Sequence, residues 1–330
     1  MPITTTITQS LEISHPVLLA PMAGVSGGAL AAAVTQAGGL GLIGAGYGDR
    51  TWLERELAVA GNVRIGVGFI AWALERQPEL LYLALDHAPV AILLSFGDFN
   101  LFAVHVGRSN SRLIVQVQSL EQAKRAIDCG ADIIVAQGTE AGGHGGKRAT
   151  LPLVPAIVDI AGKTPVVAAG GIADGRGLAA ALMLGAGGVL CGTAFFASHE
   201  ALSHAHAKSA AISASGDWTA RSSVFDVARG LAWPPEWDIR TLRNGFLDAW
   251  SGNLDGLKAR DLAERERYAT AVAKGDFDVA AVIVGEGVDM VARSESAGDI
   301  VQRMAADGER LLATAAAFVV KGSPLSAPGL

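Results

Sequence analysis

The segment GTEAGGHGG, from Gly138 to Gly146, combines five glycines with one carboxylate and one imidazole. Glycines cluster where the backbone turns sharply or approaches a ligand closely. An imidazole at such a place is suited to donate a hydrogen bond to an anionic substrate or to exchange a proton near neutral pH, which makes His144 the candidate catalytic residue. Glu140 has two possible roles, orienting His144 or capping the loop, and the sequence leaves both open.

Two further glycine segments, AAGGIADGRG and CGTAFF, have the pattern of a phosphate site. Each follows an apolar run and leads into a helical pattern, so backbone N–H groups and the helix dipole would point at an anion. Taken by themselves, Gly170 and Gly171 could simply permit a tight turn and bind nothing. The second segment, where Thr193 adds a hydroxyl donor, favours a phosphate. GAGYGD lacks the context of a dinucleotide fold and predicts a loop.

The elements that must position these residues alternate regularly over the first 200 residues. Eight short apolar runs predict strands that are buried on both faces, with helical patterns between them. The predicted strands are Val17–Ala20, Gly41–Ile43, Arg64–Phe69, Ala91–Ser95, Leu113–Val117, Asp132–Ala136, Pro165–Ala168 and Gly188–Cys191. Eight strand–helix units predict an α/β fold, a (β/α)8 TIM barrel, with its active site at the carboxyl ends of the strands.

The pattern changes after residue 199. Residues 200–297 contain no strand-like run, hold four of the six tryptophans and include the helix-breaking segment LAWPPEW. We interpret 1–199 as the barrel and 200–297 as an inserted helical lid region over one mouth of it. Residues 298–320 predict a C-terminal helix that packs back on the barrel, and the final segment KGSPLSAPGL predicts a disordered tail.

Composition limits the classes of function. The net charge of −6 gives no basic footprint for nucleic acid, and no apolar run has the length of a membrane helix or follows the pattern of a signal peptide. Cys129 and Cys191 are interpreted as buried thiols in a reducing, cytoplasmic setting. His204 and His206 are two residues apart on a predicted helix and should diverge on the surface. No residues have metal-ligand spacing, and an oligomer is possible.

These motifs resemble the nitronate monooxygenase family, formerly called 2-nitropropane dioxygenases. The resemblance runs from Pro16 to Ser198 and rests on LLAPMAGVSGGALAAAVTQAGGLGLIGAG, GTEAGGHGG and VVAAGGIADGRGLAAALMLGAGGVLCGT, and more weakly on VIVGEGVDM. It implies an FMN-bearing TIM barrel with a helical lid. The same motifs occur in FMN-dependent enoyl-acyl-carrier-protein reductases of the superfamily, so they specify the cofactor better than the substrate.

The resemblance also implies roles for single residues. His144 matches the active-site histidine of the family. Residues that would contact the flavin ring or line the cofactor are Pro21, Met22, Gln137 and Gly142, and those that would hold its phosphate are Gly170, Gly171, Cys191, Gly192 and Thr193.

Two cofactor positions depart from the family pattern. Gly68 stands where many members have asparagine. Glycine lacks the side-chain amide, so only the backbone at this position could contact the flavin. Gln116 stands where some have lysine, so a positive charge near the flavin is lost and reduction of the flavin should be less favourable.

Three functions follow from these residues. The first is oxidative denitrification, in which FMN and O2 convert an alkyl nitronate to a carbonyl compound and nitrite, with His144 hydrogen-bonded to the nitro oxygens or acting as base on a neutral nitroalkane. The second is an NAD(P)H-dependent FMN reductase acting on a quinone or an enoyl thioester, although Lys147 and Arg148 offer little basic surface for a carrier protein. The third is a flavin-free barrel that binds a phosphorylated metabolite as an isomerase or lyase, with Asp98 or Glu140 as its second acid or base.

Overall fold

The structure is a computed structural model that describes residues 3–318, and all eight predicted strands are present in it. Each lies within two residues of its predicted bounds. The strands of the described residues are β1 (Val17–Leu19), β2 (Leu42–Gly44), β3 (Gly66–Ile70), β4 (Ala91–Ser95), β5 (Arg112–Val117), β6 (Ile133–Gln137), β7 (Gly143–Gly145), β8 (Val166–Ala169), β9 (Gly188–Cys191), β10 (Thr219–Ser222) and β11 (Asp238–Leu242).

Eight of these strands form a parallel barrel in the order β1-β9-β8-β6-β5-β4-β3-β2. A parallel bridge between Leu18 and Leu40, just before β2, joins the two ends of the sheet. The strands are buried on both faces because one set of side chains fills the barrel and the other meets the surrounding helices. This double burial is why the strands lack hydrophobic alternation, and the predicted TIM barrel is confirmed.

The helices between the strands agree with the sequence pattern. Ser119 accepts a hydrogen bond from the backbone N–H of Gln122 and caps its helix as a serine N-cap should. The helices are α1 (Thr6–Leu11), α2 (Gly28–Gln36), α3 (Arg50–Ala60), α4 (Ala71–Leu74), α5 (Glu79–Asp86), α6 (Asn100–Gly107), α7 (Leu120–Asp128), α8 (Thr150–Ala161), α9 (Gly175–Met183), α10 (Thr193–Phe196), α11 (Ala205–Ile212), α12 (Val224–Arg229), α13 (Gly245–Trp250), α14 (Leu254–Ala259), α15 (Asp261–Lys274) and α16 (Ala297–Thr314). Helix α1, which the sequence pattern missed, packs its buried Ile7 and Leu11 against the barrel interior.

The prediction that residues 200–297 lack strands is wrong. Strand β10 pairs antiparallel with β11, and β11 pairs antiparallel with β7, which lies inside the glycine segment. The two strands escaped notice because TARS and DIRTL are short and polar, and their partner lies far away in the chain. This three-stranded sheet joins the later region directly to the segment that carries His144.

Other details of the later region also differ. The charged helical stretch in the second half of this region is divided at Arg260 into α14 and α15. His204 is the N-cap of α11 rather than part of the helix, so its ring meets that of His206 at 4.9 Å between centroids instead of diverging.

Helix α16 lies against the barrel helices α2 and α9. Its closest approach is at two glycines, since a Cβ on Gly175 would lie 2.5 Å from the backbone nitrogen of Gly308. The predicted tail lies outside the described residues, and the three-part division of the chain stays a prediction. Within residues 3–318, no helix combines the length and the apolar character that crossing a bilayer requires.

Candidate active site

A large cavity opens at the carboxyl ends of the barrel strands. The empty volume of this cavity, including the part that is open to solvent, is about 1210 Å³. Eleven of the twelve predicted site residues line it, and these are Pro21, Met22, Gly68, Gln116, Gln137, Gly142, His144, Gly170, Gly171, Gly192 and Thr193.

Cys191 is the predicted site residue that does not line the cavity. Its side chain is buried in the layer between strands and helices, and burial raises the pKa of the thiol to about 12. Only its backbone remains available for the predicted phosphate contact. Cys129 is half-buried rather than buried, and both cysteines are free thiols as predicted.

The polar floor of the cavity is a chain of buried glutamine amides. Gln116 and Gln118 both donate to Oε1 of Gln137, at 3.2 and 2.8 Å. The other end of the same amide faces the opposite way, and Nε2 of Gln137 donates to the carbonyl of His144 at 3.1 Å. The chain of amides thus links the barrel strands to the backbone of the candidate catalytic residue. Gln118 was not singled out in the sequence, which gave no sign of its contact with Gln137.

The predicted phosphate loops follow the adjacent strands β8 and β9. Gly170 and Gly171 adopt φ values of 102° and 71°, in the left-handed region that favours glycine. A Cβ on Gly170 would lie 2.8 Å from both the carbonyl oxygen of Gly138 and the hydroxyl of Thr150. The Thr193 hydroxyl accepts from the backbone N–H of Gly285 at 2.8 Å, so its own proton is free to be donated. The cradle is therefore narrow, made of backbone, and suited to an anion.

Glu140 caps a helix instead of orienting His144. Its carboxylate accepts from the backbone N–H of Thr150, at 2.9 and 3.0 Å, and from the Thr150 hydroxyl, at 2.8 Å. Thr150 is the first residue of α8. Asp98, the other acid considered for a flavin-free isomerase, pairs with Arg125 at 2.9 Å. Neither carboxylate lines the cavity, so the isomerase hypothesis loses both of its candidates.

His144 is oriented by a residue that sequence reasoning missed. Its Nε2 lies 2.9 and 3.0 Å from the two carboxylate oxygens of Asp226, and both side chains are buried. A carboxylate only accepts, so Nε2 carries the proton and Nδ1 keeps the lone pair. Burial lowers the pKa of His144 and Asp226 raises it, with a net lowering from 6.5. The imidazole is therefore neutral at pH 7 and able to accept a proton at Nδ1.

An aromatic cluster holds the plane of the imidazole. The Trp233 ring is stacked on His144, with 3.4 Å between centroids and 9° between planes. Trp233 Nε1 donates to the Tyr47 hydroxyl at 3.2 Å, and the edge of Phe96 meets both rings. Of the four tryptophans of the later region, Trp233 lines the cavity and Trp218 is exposed. The segment LAWPPEW thus contributes directly to the site.

The side chain of Arg221, on β10, holds the glycine segment 138–146 in place through hydrogen bonds to its backbone. Its guanidinium donates to the carbonyl oxygens of Thr139, Ala141 and Gly143, and to that of Asp238 on β11. Burial, together with the nearby charge of Arg240, lowers the pKa of Arg221 to about 10. One side chain therefore joins the loop before β7 to the strand beside it. Together, the strand pairing, Asp226 and Arg221 leave His144 little freedom to move.

Comparison with known proteins agrees with this architecture. The family model for nitronate monooxygenase matches residues 4–64 and 81–307, and the chain belongs to that family, as the motifs predicted. It is therefore a flavin-dependent oxidoreductase. A nitronate monooxygenase of Metarhizium robertsii is 31% identical over 92% of this chain and 93% of its own.

Solved structures with the same fold align over nearly the whole chain. FabK from Thermotoga maritima aligns with a TM-score of 0.83 and 28% identity over 96% of this chain and 100% of its own. A nitroalkane oxidase from Streptomyces ansochromogenes aligns with a TM-score of 0.76 and 27% identity over 94% of this chain and 99% of its own. In the part of the chain that the structure describes, no grouping of histidine, cysteine and carboxylate side chains could hold a metal ion.

Proposed function

We propose that this enzyme uses FMN and O2 to oxidise alkyl nitronates, and also neutral nitroalkanes, to carbonyl compounds and nitrite. The family assignment and the similarity to a nitroalkane oxidase support the reaction class. The single observation that carries the proposal is the buried His144–Asp226 pair on the wall of a cavity that also ends in a backbone anion cradle. A phosphate cradle is what an FMN enzyme requires, and a pre-oriented base in the same cavity is what removal of the α-proton of a neutral nitroalkane requires.

The residues around the cavity fit FMN. Its isoalloxazine would lie against Pro21 and Gly68, with polar atoms facing Gln116 and Gln137. A Cβ on Gly68 would lie 2.3 Å from the Pro21 ring, so this chain leaves no room for the asparagine of other members and offers backbone instead. When bound, FMN supplies the acceptor for the substrate electrons and the site of reaction with O2.

The phosphate cradle gives a direct prediction for cofactor binding. We expect Gly170→Ala to lose FMN during gel filtration, because its Cβ would clash with the Gly138 carbonyl and because φ is 102°. Gly162→Ala is the matched control, since Gly162 also has a positive φ of 60° but a Cβ added there would meet no atom within 4 Å. The measurement is the ratio of flavin to protein absorbance after filtration. Equal retention in both variants would argue against the cradle.

The side chains of the site have separate roles in the proposed reaction. Nδ1 of His144 accepts the α-proton of a nitroalkane, and Asp226 stabilises the imidazolium that results. A nitronate arrives without that proton and needs no base, and neutral His144 has no N–H to offer its oxygens because Nε2–H is donated to Asp226. Trp233 and Gln137 hold the imidazole and its backbone in place with either substrate.

The visible spectrum of the purified protein without oxygen tests the function. We expect an oxidised-flavin band that is bleached by ethyl nitronate and not by NADPH. Bleaching by NADPH alone would contradict the proposal and favour the reductase hypothesis. A preparation with no flavin band, even after incubation with FMN, would contradict both flavin hypotheses.

A further inference from the structure

Arg229 is the one permanently charged side chain on the cavity wall. Among the described residues that line the cavity, no other lysine, arginine, aspartate or glutamate is present. It ends helix α12, three residues after Asp226 and therefore on the same face of that helix. A substrate anion that enters this cavity meets its counter-charge at Arg229.

The guanidinium of Arg229 is incompletely satisfied. Its Nη1 is buried and has no hydrogen-bond partner in the described part of the chain. The Tyr47 ring lies on one side, 5.4 Å from Cζ to the ring centroid. The nearest carboxylate along the helix, Asp226, has both oxygens against His144. Although burial lowers the pKa of Arg229, Tyr47, Tyr268 and Asp226 together raise it by more, so the guanidinium stays charged. Its Nη1 nevertheless has no partner among the described residues, and a buried charged donor in that state is costly, so its presence beside a cavity points to a ligand.

We propose that Arg229 binds the anionic oxygen pair of the substrate and selects the nitronate over its neutral nitroalkane. A nitronate group is planar and shares its charge between two oxygens, as a carboxylate does. The guanidinium fork matches such a pair with two parallel hydrogen bonds, which a lysine cannot reproduce. This inference rests on the proposed function for the identity of the substrate and on the cavity alone for the presence of an anion site.

The flavin phosphate is the other anion that the cavity would receive. The phosphate and the substrate anion have different binding groups in the cavity. The backbone cradle of Gly170, Gly171 and Gly192 already offers N–H donors for a phosphate. Arg229 instead belongs to the group of Asp226, His144 and the aromatic cluster. Arg229 therefore serves the substrate, and flavin content is the measurement that separates the two roles.

The experiment uses the FMN-loaded enzyme and a carboxylate probe that resembles the nitronate of 2-nitropropane. Isobutyrate binding is followed by calorimetry and by its perturbation of the flavin spectrum, with isobutyramide as the uncharged control. We expect isobutyrate to bind and isobutyramide to bind at least tenfold more weakly. In Arg229→Met, isobutyrate affinity and the KM for the nitronate should both worsen about 10- to 100-fold, as loss of a charged hydrogen-bonding partner predicts. The KM for neutral 2-nitropropane should stay within about threefold.

Two further variants complete the design. Arg229→Lys keeps the charge and should retain part of the affinity, and Arg243→Met removes an exposed arginine that pairs with Asp248 outside the cavity and should change nothing. Equal binding of isobutyrate and isobutyramide by the unaltered enzyme would overturn the proposal without any variant. So would an unchanged nitronate KM in Arg229→Met, or loss of FMN as its only defect. If the enzyme fails to oxidise nitronates but isobutyrate binding still depends on Arg229, the proposed function fails and the anion site stands.

Discussion

Replacing His144 with asparagine is expected to lower kcat/KM for a neutral nitroalkane by about 10²- to 10⁴-fold, the usual contribution of a general base. The nitronate should lose much less, because it needs no proton removed. FMN should stay bound, since His144 meets the cavity through its ring while the cradle is made of backbone. Oxygen consumption is measured side by side with nitroethane and with ethyl nitronate, and the loss of kcat/KM on one substrate is compared with the loss on the other. Equal losses on both substrates would refute the role of base.

Asp226→Asn separates orientation from proton transfer in the same assay. An amide can donate to Nε2 as well as accept from it, so the wrong tautomer of His144 becomes available and the neutral substrate should again suffer most. In the unaltered enzyme the pKa of His144 is lowered from 6.5, so activity on nitroalkane should be lost only as the pH falls below that value. Because Asp226 raises this pKa, its removal should move the acid limb to still lower pH. Asp248→Asn, at an exposed ion pair, is the control.

Arg221→Met is expected to have the second large effect, on stability. Four backbone carbonyls lose a charged donor; that of Thr139 keeps a bond from Nε of Arg240, and the other three lose their bond to a guanidinium. Leaving such a group unpaired in a partly buried site costs about 1–3 kcal/mol where no water replaces the donor. We expect a loss of about 3 kcal/mol or more, which corresponds to a fall in Tm of roughly 4 °C or more for a chain of this length.

Arg243→Met is the matched control for this variant, and we expect its Tm to change little because its ion pair is exposed. Arg221→Met should also release FMN more readily and lower turnover, since the segment from Thr139 to Gly143 is then held by fewer bonds, among them the one from Arg240 and the pairing with β11. A Tm equal to that of the control, measured by differential scanning fluorimetry at the same protein concentration, would mean that the bonds of Arg221 are replaced by water at no cost.

The barrel was predictable because its determinants are local. Each strand is a short apolar run that is buried on both faces, and each loop that follows carries glycines whose conformations other residues avoid. These signals lie within ten residues of one another. The same local motifs carry the family resemblance, and it is from that resemblance that most of the residues between Pro21 and Thr193 were assigned to the cofactor.

The partners of His144 were not predictable, because they come from distant parts of the chain. Asp226 lies 82 residues away, in a short helix whose other buried residues are apolar. A lone acid among apolar residues, in VFDVAR, was the available signal. Strands β10 and β11 gave no apolar pattern, because most residues of TARS and DIRTL are polar. Trp233 was noted only as one of four tryptophans, and nothing local in LAWPPEW indicates that it stacks on an imidazole.

The pairing of Ile239 with His144 has a consequence for the order in which the protein forms. All eight barrel strands are complete by Cys191, whereas β11 follows about 50 residues later. Contacts between distant segments form late because their loops are entropically costly to close. During synthesis the barrel can therefore assemble before His144 has its strand partner, its aspartate or its tryptophan. We expect a nascent chain that ends near residue 200 to hold paired barrel strands, an outer layer that still lacks α16, and an unformed catalytic centre.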